Sequence, residues 1–304
     1  MIILTHIGEK EPEYLYSFLT QLRLFNPYHE IVFLVNRKNT NNLIYHDFNI
    51  KTYPIEDLHN NLIDSFISKF GYGDVNSHKK NINYASTDYW CITATRLFYM
   101  CEYAKKFNIN NYFHFENDIM IYEDIDNISN IIKNNDLYNN NISITRGTIN
   151  KIMTGFSYIS NNLLLENMLN DFCVYLNNKQ ELFKYGIDMI NEMGLLHIYQ
   201  MKNPDILKNL PIFPNNIISG NFNFFNSVFD PATYGQYLDG TPGSPGVSII
   251  TDSYIGDELR KNTSIRIDFE SINNLKIPFL KIDNDYIKIN NLHIHSKRLE
   301  KFKS

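Results

Sequence analysis

The chain has 304 residues, of which 43% are hydrophobic and 20% are charged, a composition typical of globular proteins. Its formal net charge of −5 argues against a protein that binds nucleic acid through the phosphate backbone. Three cysteines without a CxxC pair argue against a zinc cage or a disulfide framework and indicate a reducing compartment.

The first part of the chain alternates between predicted strands and helices. A short apolar strand over residues 2–4 is followed by a helix over 11–24 and by a continuous apolar strand over 31–35. Because strand, helix and strand follow one another within about 35 residues, they predict a βαβ unit and a parallel sheet. Further strands are predicted over 49–53, 112–115, 142–145 and 156–159, and further helices over 56–70, 89–107, 161–178 and 180–196.

Two C-terminal segments complete the predicted fold. Residues 229–246 are rich in Gly and Pro and predict a long loop. Alternating apolar residues over 265–269, and in the following IPFLKID and YIKINNLHIHSK, predict antiparallel hairpin strands. The sequence therefore predicts an α/β fold with a Rossmann-type mixed, mostly parallel central sheet, flanking helices and a C-terminal β-hairpin.

Two carboxylates stand at the end of the predicted strand 112–115, in the triplet Glu116-Asn117-Asp118. Ligands of open α/β sheets bind outside the carboxyl ends of the strands. In an extended segment the side chains of Glu116 and Asp118 project the same way, roughly 7 Å apart. Hard oxygen ligands favour Mg²⁺ or Mn²⁺, so a metal site is one interpretation and a solvated turn is the other.

A second cluster of candidate ligands ends the last predicted strand. Alternation along this strand places His293, His295 and Lys297 on one face. Neutral imidazoles are good metal ligands, and a lysine beside a metal is a natural partner for a phosphate group. The alternative is two partly exposed histidines and a surface lysine.

At these positions the sequence resembles the GT-A fold glycosyltransferases. YFHFENDIMIYEDI resembles their DxD strand, with Glu in place of the first Asp, and NLHIHSK resembles the His-and-Lys element that some of them use on the metal and the diphosphate. THIGEKEPEYLYSFLTQLRLFNP, leading into EIVFLVN, resembles their nucleotide-binding opening. WCITATRLFYM is similar to a helix that carries a donor-contacting Arg, and FDPATYGQYLDG resembles a loop in sugar-transferase relatives.

The resemblance implies a GT-A-like domain over 1–304, with the nucleotide sugar bound by 1–125 and the acceptor by 126–304. The implied enzyme is a metal-dependent hexosyltransferase, which moves a hexose from a nucleoside-diphosphate sugar, UDP-linked by preference, to a hydroxyl of a glycan or glycoconjugate. The His-and-Lys ending favours retention of configuration, although the stereochemistry is left open.

The resemblance also assigns roles to residues. Mn²⁺ or Mg²⁺ is bound by Asp118 with His295, or alternatively with His293, and Glu116 assists at the metal or the ribose. Lys297 holds the diphosphate and so takes part in catalysis.

Further donor contacts are expected from residues near the predicted strand ends and on the helix over 89–107. Each has a structural alternative: a polar strand end, a solvated loop or an internal ion pair. These candidates are Thr5, His6, Arg37, Arg96 and Asn117.

An inverting enzyme would need a carboxylate base near the acceptor, and Glu192 or Asp230 would supply it. Asp188 and Glu192 lie one helical turn apart in the predicted helix 180–196, so they would share a face. The alternative for Asp188 is a solvated helix face.

Two other classes of protein compete with this interpretation. A nucleotidyltransferase would be expected to carry a Gly-rich phosphate loop with Lys or Arg after the first strand, whereas THIGEKEPEY has one Gly and is acidic. An inactive module that binds a glycan or nucleotide sugar would not need Asp118, His295 and Lys297 together.

The N-terminus shows no signal-peptide pattern, and no apolar stretch approaches the roughly 20 residues of a membrane helix. We therefore expect a cytoplasmic protein without a membrane span or a nucleic-acid partner. The excess of Asn, Ile, Tyr and Lys indicates AT-rich codons, which are compatible with a bacterial source or with a viral one acting in the host cytoplasm. The sequence leaves the oligomeric state open.

Overall fold

The computed structural model describes residues 1–71, 87–214 and 220–304. Within these residues the strands are β1 Ile2–His6, β2 Ile31–Val35, β3 Lys51–Pro54, β4 Tyr112–Phe115, β5 Ile119–Ile121, β6 Ile142–Thr148, β7 Lys151–Ile159, β8 Leu207–Asn209, β9 Ser227–Val228, β10 Gly240–Thr241, β11 Ser244–Pro245, β12 Arg266–Ile272, β13 Leu275–Ile282, β14 Asp285–Ile289 and β15 Asn291–His293. The helices are α1 Leu15–Phe25, α2 Leu43–Asp47, α3 Asn61–Phe70, α4 Thr87–Lys106, α5 Ile125–Lys133, α6 Asn162–Tyr175, α7 Lys179–Leu182, α8 Glu192–Lys202, α9 Phe222–Phe225, α10 Tyr234–Asp239 and α11 Tyr254–Lys261.

The central sheet has seven strands in the order β3-β2-β1-β4-β7-β6-β8. The first four are mutually parallel, β7 runs antiparallel to both of its neighbours, and β6 is parallel to β8. The predicted α/β fold with a mixed, mostly parallel sheet is therefore confirmed.

Both faces of this sheet are buried, which explains the continuous apolar runs in the sequence. Along β2, Phe33 faces one hydrophobic core together with Phe18 of α1. Its neighbour Val32 faces a second core, which contains Phe66 of α3 and Phe98 of α4. Successive side chains of a strand point to opposite faces, so helices on both sides are needed to cover it.

The strand order places a topological switch point between β1 and β4. The chain runs outward from β1 through β2 to β3, and then returns by α3 and α4 to β4 on the other side of β1. Ile2 of β1 is paired with Phe113 of β4 in parallel register. The crevice outside the carboxyl ends of two such strands is where open α/β sheets bind ligands.

The C-terminal part of the chain returns to this switch point. Strands β12, β13 and β14 form the predicted antiparallel hairpins, and β14 also pairs with β9. The following strand β15 leaves that sheet and pairs antiparallel with β5, so that His293 lies opposite Ile119. The sequence predicted one continuous strand through Lys297, but β15 ends at His293 and a turn follows, closed by the Lys297 N–H to the Ile294 carbonyl at 3.0 Å.

Two predicted elements are wrong in detail. A single helix over 180–196 does not form, because Gly186 adopts a left-handed conformation with φ 77° and Asn191 caps a new helix by accepting the Gly194 N–H. Asp188 therefore precedes α8 and does not share a helix face with Glu192. The predicted loop 229–246 instead contains α10 and the β10–β11 hairpin.

In the described part of the chain, no helix is long and apolar enough to cross a membrane. The three cysteines Cys91, Cys101 and Cys173 are buried, and they form no disulfide within the described residues.

The start of α10 packs directly on β15. A Cβ atom added to Gly235 would lie 1.9 Å from the carbonyl oxygen of His293, so only glycine allows the two backbones to approach. Asp230 fixes the same junction, because its Oδ2 accepts the backbone N–H groups of Gly235 at 3.0 Å and His293 at 2.8 Å. Helix α10 and strand β15 are thus held together by close backbone packing and by hydrogen bonds.

We predict that Gly235→Ala lowers the free energy of unfolding by about 1–3 kcal/mol, because the methyl group must push α10 and β15 apart. The control is Gly243→Ala, where an added Cβ meets nothing within 4 Å and a change below about 0.5 kcal/mol is expected. Urea unfolding of both variants measures the difference, and equal stabilities would contradict this packing.

Candidate active site

A cavity of about 700 Å³ opens at the carboxyl ends of β1 and β4. Its walls combine strand ends, the start of α4, the start of α8 and the segment after β15. Most of the candidates from the sequence line it: Thr5, His6, Arg96, Glu116, Asn117, Asp118, Glu192, His293, His295 and Lys297.

The acidic triplet forms a tight turn rather than an extended segment. The Glu116 N–H donates to the Gly155 carbonyl at 3.0 Å, and the Ile119 N–H donates back to the Glu116 carbonyl at 3.1 Å. This turn directs both carboxylates toward the cavity. Asn117 between them is 7% exposed, and its Oδ1 has no hydrogen-bond partner within the described residues.

His293 completes a three-residue cluster with the two acids. Its Nε2 lies 3.1 Å from Asp118 Oδ2 and 3.5 Å from Glu116 Oε2. One ligand atom from each residue falls within 4.8 Å of the others. Two carboxylates and one imidazole suit a divalent cation such as Mn²⁺, so the residues present fit the metal that the sequence predicted.

The backbone pairing of β15 with β5 produces this cluster. It sets His293 opposite Ile119, and the Ile294 N–H donates to the Asp118 carbonyl at 2.9 Å. Gly155 leaves room for the imidazole, because a Cβ there would lie 3.0 Å from His293 Nδ1.

Lys297 reaches the same carboxylate from the turn after β15. Its ammonium group donates to Asp118 Oδ2 and lies 5.5 Å from the centre of the Tyr14 ring. Burial alone would raise the pKa of Asp118, but His293 and Lys297 outweigh it and hold that pKa well below its ordinary value. Asp118 is therefore anionic, and its carboxylate contacts both His293 and Lys297.

His295 lies beside the cluster and not within it. Its ring stacks on His293 with the ring centres 4.2 Å apart, and its Nδ1 lies 3.2 Å from Gln236 Nε2. Burial, and then the neighbouring His293, lower the pKa of His295 to about 3, so this imidazole is neutral. The sequence favoured His295 as the metal ligand and gave His293 as the alternative, and the geometry brings His293 to the acids.

Arg96 lines the cavity and also forms an internal ion pair, which was the structural alternative to a donor contact. Its Nη2 lies 3.0 Å from Glu116 Oε1, and its Nε donates to the Thr93 carbonyl at 3.2 Å. Thr154 Oγ1 donates to the same Glu116 oxygen at 3.2 Å. Burial alone would raise the pKa of Glu116, but Arg96 and His293 together outweigh it, so the pKa of Glu116 is lowered and the carboxylate stays ionised.

Glu192 is a second, separately held carboxylate in the cavity. It is 5% exposed, it begins α8, and its Oε2 accepts a hydrogen bond from Thr93 Oγ1 at 2.7 Å. Burial raises the pKa of Glu192 to about 7 despite the opposing effects of Thr93 and Arg96. A carboxyl group near half-protonation at neutral pH is suited to proton transfer.

Two of the predicted site residues are placed elsewhere. Arg37 is exposed, pairs with Asp57 and does not line the cavity. Asp230 lies behind β15, where Oδ1 accepts the Thr233 N–H at 2.6 Å while Oδ2 binds other backbone N–H groups. Its carboxylate thus orders the junction of α10 with β15.

Several polar residues of the site were missed from the sequence. Thr93, Thr154 and Gln236 each contact a predicted site residue. Single Thr and Gln side chains carry no spacing pattern, so nothing local marks them. Tyr14, beside Lys297, precedes α1 and was likewise not singled out.

Comparisons with known proteins add a limited finding. No family model matches the sequence, and no curated protein matches it significantly. Mouse xyloside xylosyltransferase 1 is similar over 69% of this chain and 84% of its own, with 10% identity and a TM-score of 0.45. The PaToxG glycosyltransferase is similar over 67% of this chain and 69% of its own, with 11% identity and a TM-score of 0.40. The galactosyltransferase LgtC is similar over 70% and 75%, with 13% identity and a TM-score of 0.39. At such identities and TM-scores the likeness does not assign a function to this chain.

The raised pKa of Glu192 predicts a pH-dependent effect on stability. The folded protein binds more protons at this group than the unfolded chain between pH 4.5 and about 7, so ionisation of Glu192 destabilises the fold as the pH rises through that window. Glu192→Gln cannot ionise. We predict that it raises the free energy of unfolding relative to wild type on the order of 3 kcal/mol at pH 8 and little at pH 4.5.

Urea unfolding of the wild type and the variant at both pH values measures this difference. The control is Asp188→Asn, which changes an exposed carboxylate close in sequence. A gain from Glu192→Gln that is the same at both pH values would contradict the buried, partly protonated state of Glu192.

Proposed function

We propose that this protein is a metal-dependent glycosyltransferase that moves a hexose from a nucleoside-diphosphate sugar, preferably UDP-linked, to a hydroxyl of a glycan or glycoconjugate. One observation carries the proposal. Glu116, Asp118 and His293, with Lys297 beside them, converge at the switch point between β1 and β4. This arrangement provides ligands for a cation and a positive charge for a diphosphate at the place where such sheets bind nucleotides.

In this proposal Asp118, Glu116 and His293 hold Mn²⁺ or Mg²⁺. The bound cation supplies Lewis-acid stabilisation of the leaving diphosphate. Lys297 and Arg96 add fixed positive charge in the same cavity, which favours the charge that develops on the leaving group. Because Lys297 is bonded to Asp118, it must share that carboxylate with the metal or turn toward the diphosphate.

The nucleoside part of the donor is assigned to the end of β1. Thr5 is 1% exposed and its Oγ1 has no partner within the described residues, although the side chain lines the cavity. Asn117 Oδ1, on the neighbouring turn, likewise has no hydrogen-bond partner within the described residues. Buried polar atoms are normally hydrogen-bonded, so these two are suited to a polar ligand group such as a ribose or a base. His6 completes this wall.

The acceptor side of the cavity is assigned to Glu192. With a pKa of about 7, this carboxyl group can accept a hydrogen bond or a proton from an attacking hydroxyl at neutral pH. Asp230 is not given this role, because its oxygens are bonded to backbone N–H groups. The stereochemistry stays a prediction, with retention favoured by the resemblance.

We predict that UDP raises the melting temperature of the wild type by about 5 °C at a hundredfold excess over Kd, and only when Mn²⁺ is present. Asp118→Asn should remove this shift, because it loses the charge that holds the cation. Thermal unfolding with a panel of nucleotides and nucleotide sugars, with and without Mn²⁺, measures the effect and identifies the donor base.

A matched control is available on the surface. His29, Asp124 and Asp126 form a second group of side chains that could hold a metal ion, but they do not line the cavity, so Asp126→Asn should leave the UDP shift unchanged. Release of UDP from a UDP-hexose by the wild type would support transfer over an inactive binding module. If no nucleotide shifts the melting temperature of well-folded protein, the proposed function is wrong.

A further inference from the structure

Asp239, at the end of α10, binds the residues on both sides of Lys297. Its Oδ2 accepts hydrogen bonds from Ser296 Oγ at 2.5 Å and from Arg298 Nε at 2.8 Å. Its Oδ1 accepts a further bond from Arg298 Nη2, and Lys301 Nζ lies 3.4 Å away. The Asp239 side chain is 6% exposed, so its carboxylate is covered by these partners.

Lys297 has a backbone conformation that needs such support. Its φ is 64°, in the left-handed region that residues other than glycine adopt at an energetic cost. In this conformation its side chain points back to Asp118, in the cavity, while its neighbours face Asp239. A strained conformation persists only where the surrounding contacts hold it.

The hairpin after α10 is shaped to fit the same contact. The Gly246 N–H donates to the Asp239 carbonyl at 2.8 Å, and a Cβ at Gly246 would lie 2.8 Å from Arg298 Nη2. Gly246 also has a positive φ of 86°. The backbone of the β10–β11 hairpin therefore leaves a space that the Arg298 guanidinium occupies. Asp239 itself does not line the cavity.

We propose that Asp239 is a positioning residue for the nucleotide-diphosphate site, which clamps Ser296 and Arg298 and thereby holds the Lys297 ammonium group toward Asp118. The inference rests on the proposed function, in which Lys297 binds the diphosphate. It gives a role to the YLDG segment of the Gly-rich region, which the sequence resemblance had left without one.

The test compares Asp239→Ala, Lys297→Ala and the double variant. Isothermal titration with UDP and with UMP, both in the presence of Mn²⁺, measures the affinity of each protein. We expect Asp239→Ala to weaken UDP binding by about ten- to a hundredfold, as is usual for residues that orient a binding group, and to affect UMP much less. In the Lys297→Ala background, Asp239→Ala should cause no further loss of UDP affinity.

The control is Asp257→Ala, which removes a similar aspartate–arginine contact, 3.2 Å to Arg260, on the surface of α11. If Asp239→Ala does not fold, Arg298→Gln tests the same clamp, since the Arg298 side chain is 32% exposed and Ser296 still binds Asp239.

Three outcomes overturn the inference in distinguishable ways. Failure of the wild type to bind UDP or any other nucleoside diphosphate overturns the proposed function and this inference with it. If the wild type binds UDP and Asp239→Ala binds it with the same affinity, only the proposed clamp is overturned. Additive losses in the double variant, or equal losses for UDP and UMP, show that Asp239 supports the fold and does not act through Lys297.

Discussion

The candidate site depends on the antiparallel pairing of β15 with β5. This short ladder places His293 opposite Ile119, directly after the acidic turn, although His293 and Asp118 are 175 residues apart in sequence. Without the pairing, the carboxylates at the end of β4 would have neither the imidazole nor the lysine beside them. Asp230 and Gly235 secure the other side of β15, so the strand is held between β5 and α10.

This arrangement concentrates charge in a buried place, and the neighbouring residues compensate for it unequally. The negative charge of Glu116 is compensated by Arg96, and that of Asp118 by Lys297 and His293. Burial raises the pKa of Glu192 to about 7, because the hydrogen bond from the Thr93 hydroxyl and the weaker effect of Arg96 do not offset it. The cavity thus holds ionised carboxylates together with a carboxyl group that can exchange a proton, and such a combination is typical of sites where acid–base chemistry occurs.

Much of the first half of the fold could be predicted from local patterns. The strand over 31–35 is a continuous apolar run and the strand over 112–115 is a mostly apolar one, and both are buried. The acidic triplet that follows the second strand marks the ligand-binding edge. The partner of β15 could not be predicted, because a three-residue strand pairs with whichever edge the whole topology brings near it. The break between α7 and α8 was missed because a single left-handed Gly186 and the cap at Asn191 override the helical spacing around them.

The positioning roles of residues around the site could not be predicted from sequence patterns either. Asp239 and Asp230 lie in a segment whose Gly and Pro content suggested a loop, and their roles depend on contacts with the distant residues 293–298. Between His293 and His295 the sequence offers no distinction, because alternation places both on one face. The structure distinguishes them, because β15 ends at His293 and the His295 ring stacks on the His293 ring.

The most direct test of the site is the nitrogen coordination of bound Mn²⁺, measured by pulsed electron paramagnetic resonance on protein with ¹⁵N-labelled histidine. We predict one strongly coupled histidine nitrogen, which is lost in His293→Ala and retained in His295→Ala, and no bound Mn²⁺ in Asp118→Ala. Mn²⁺ bound without a coupled histidine nitrogen, or a coupling that survives in His293→Ala, would contradict the assembly of the metal site by β15.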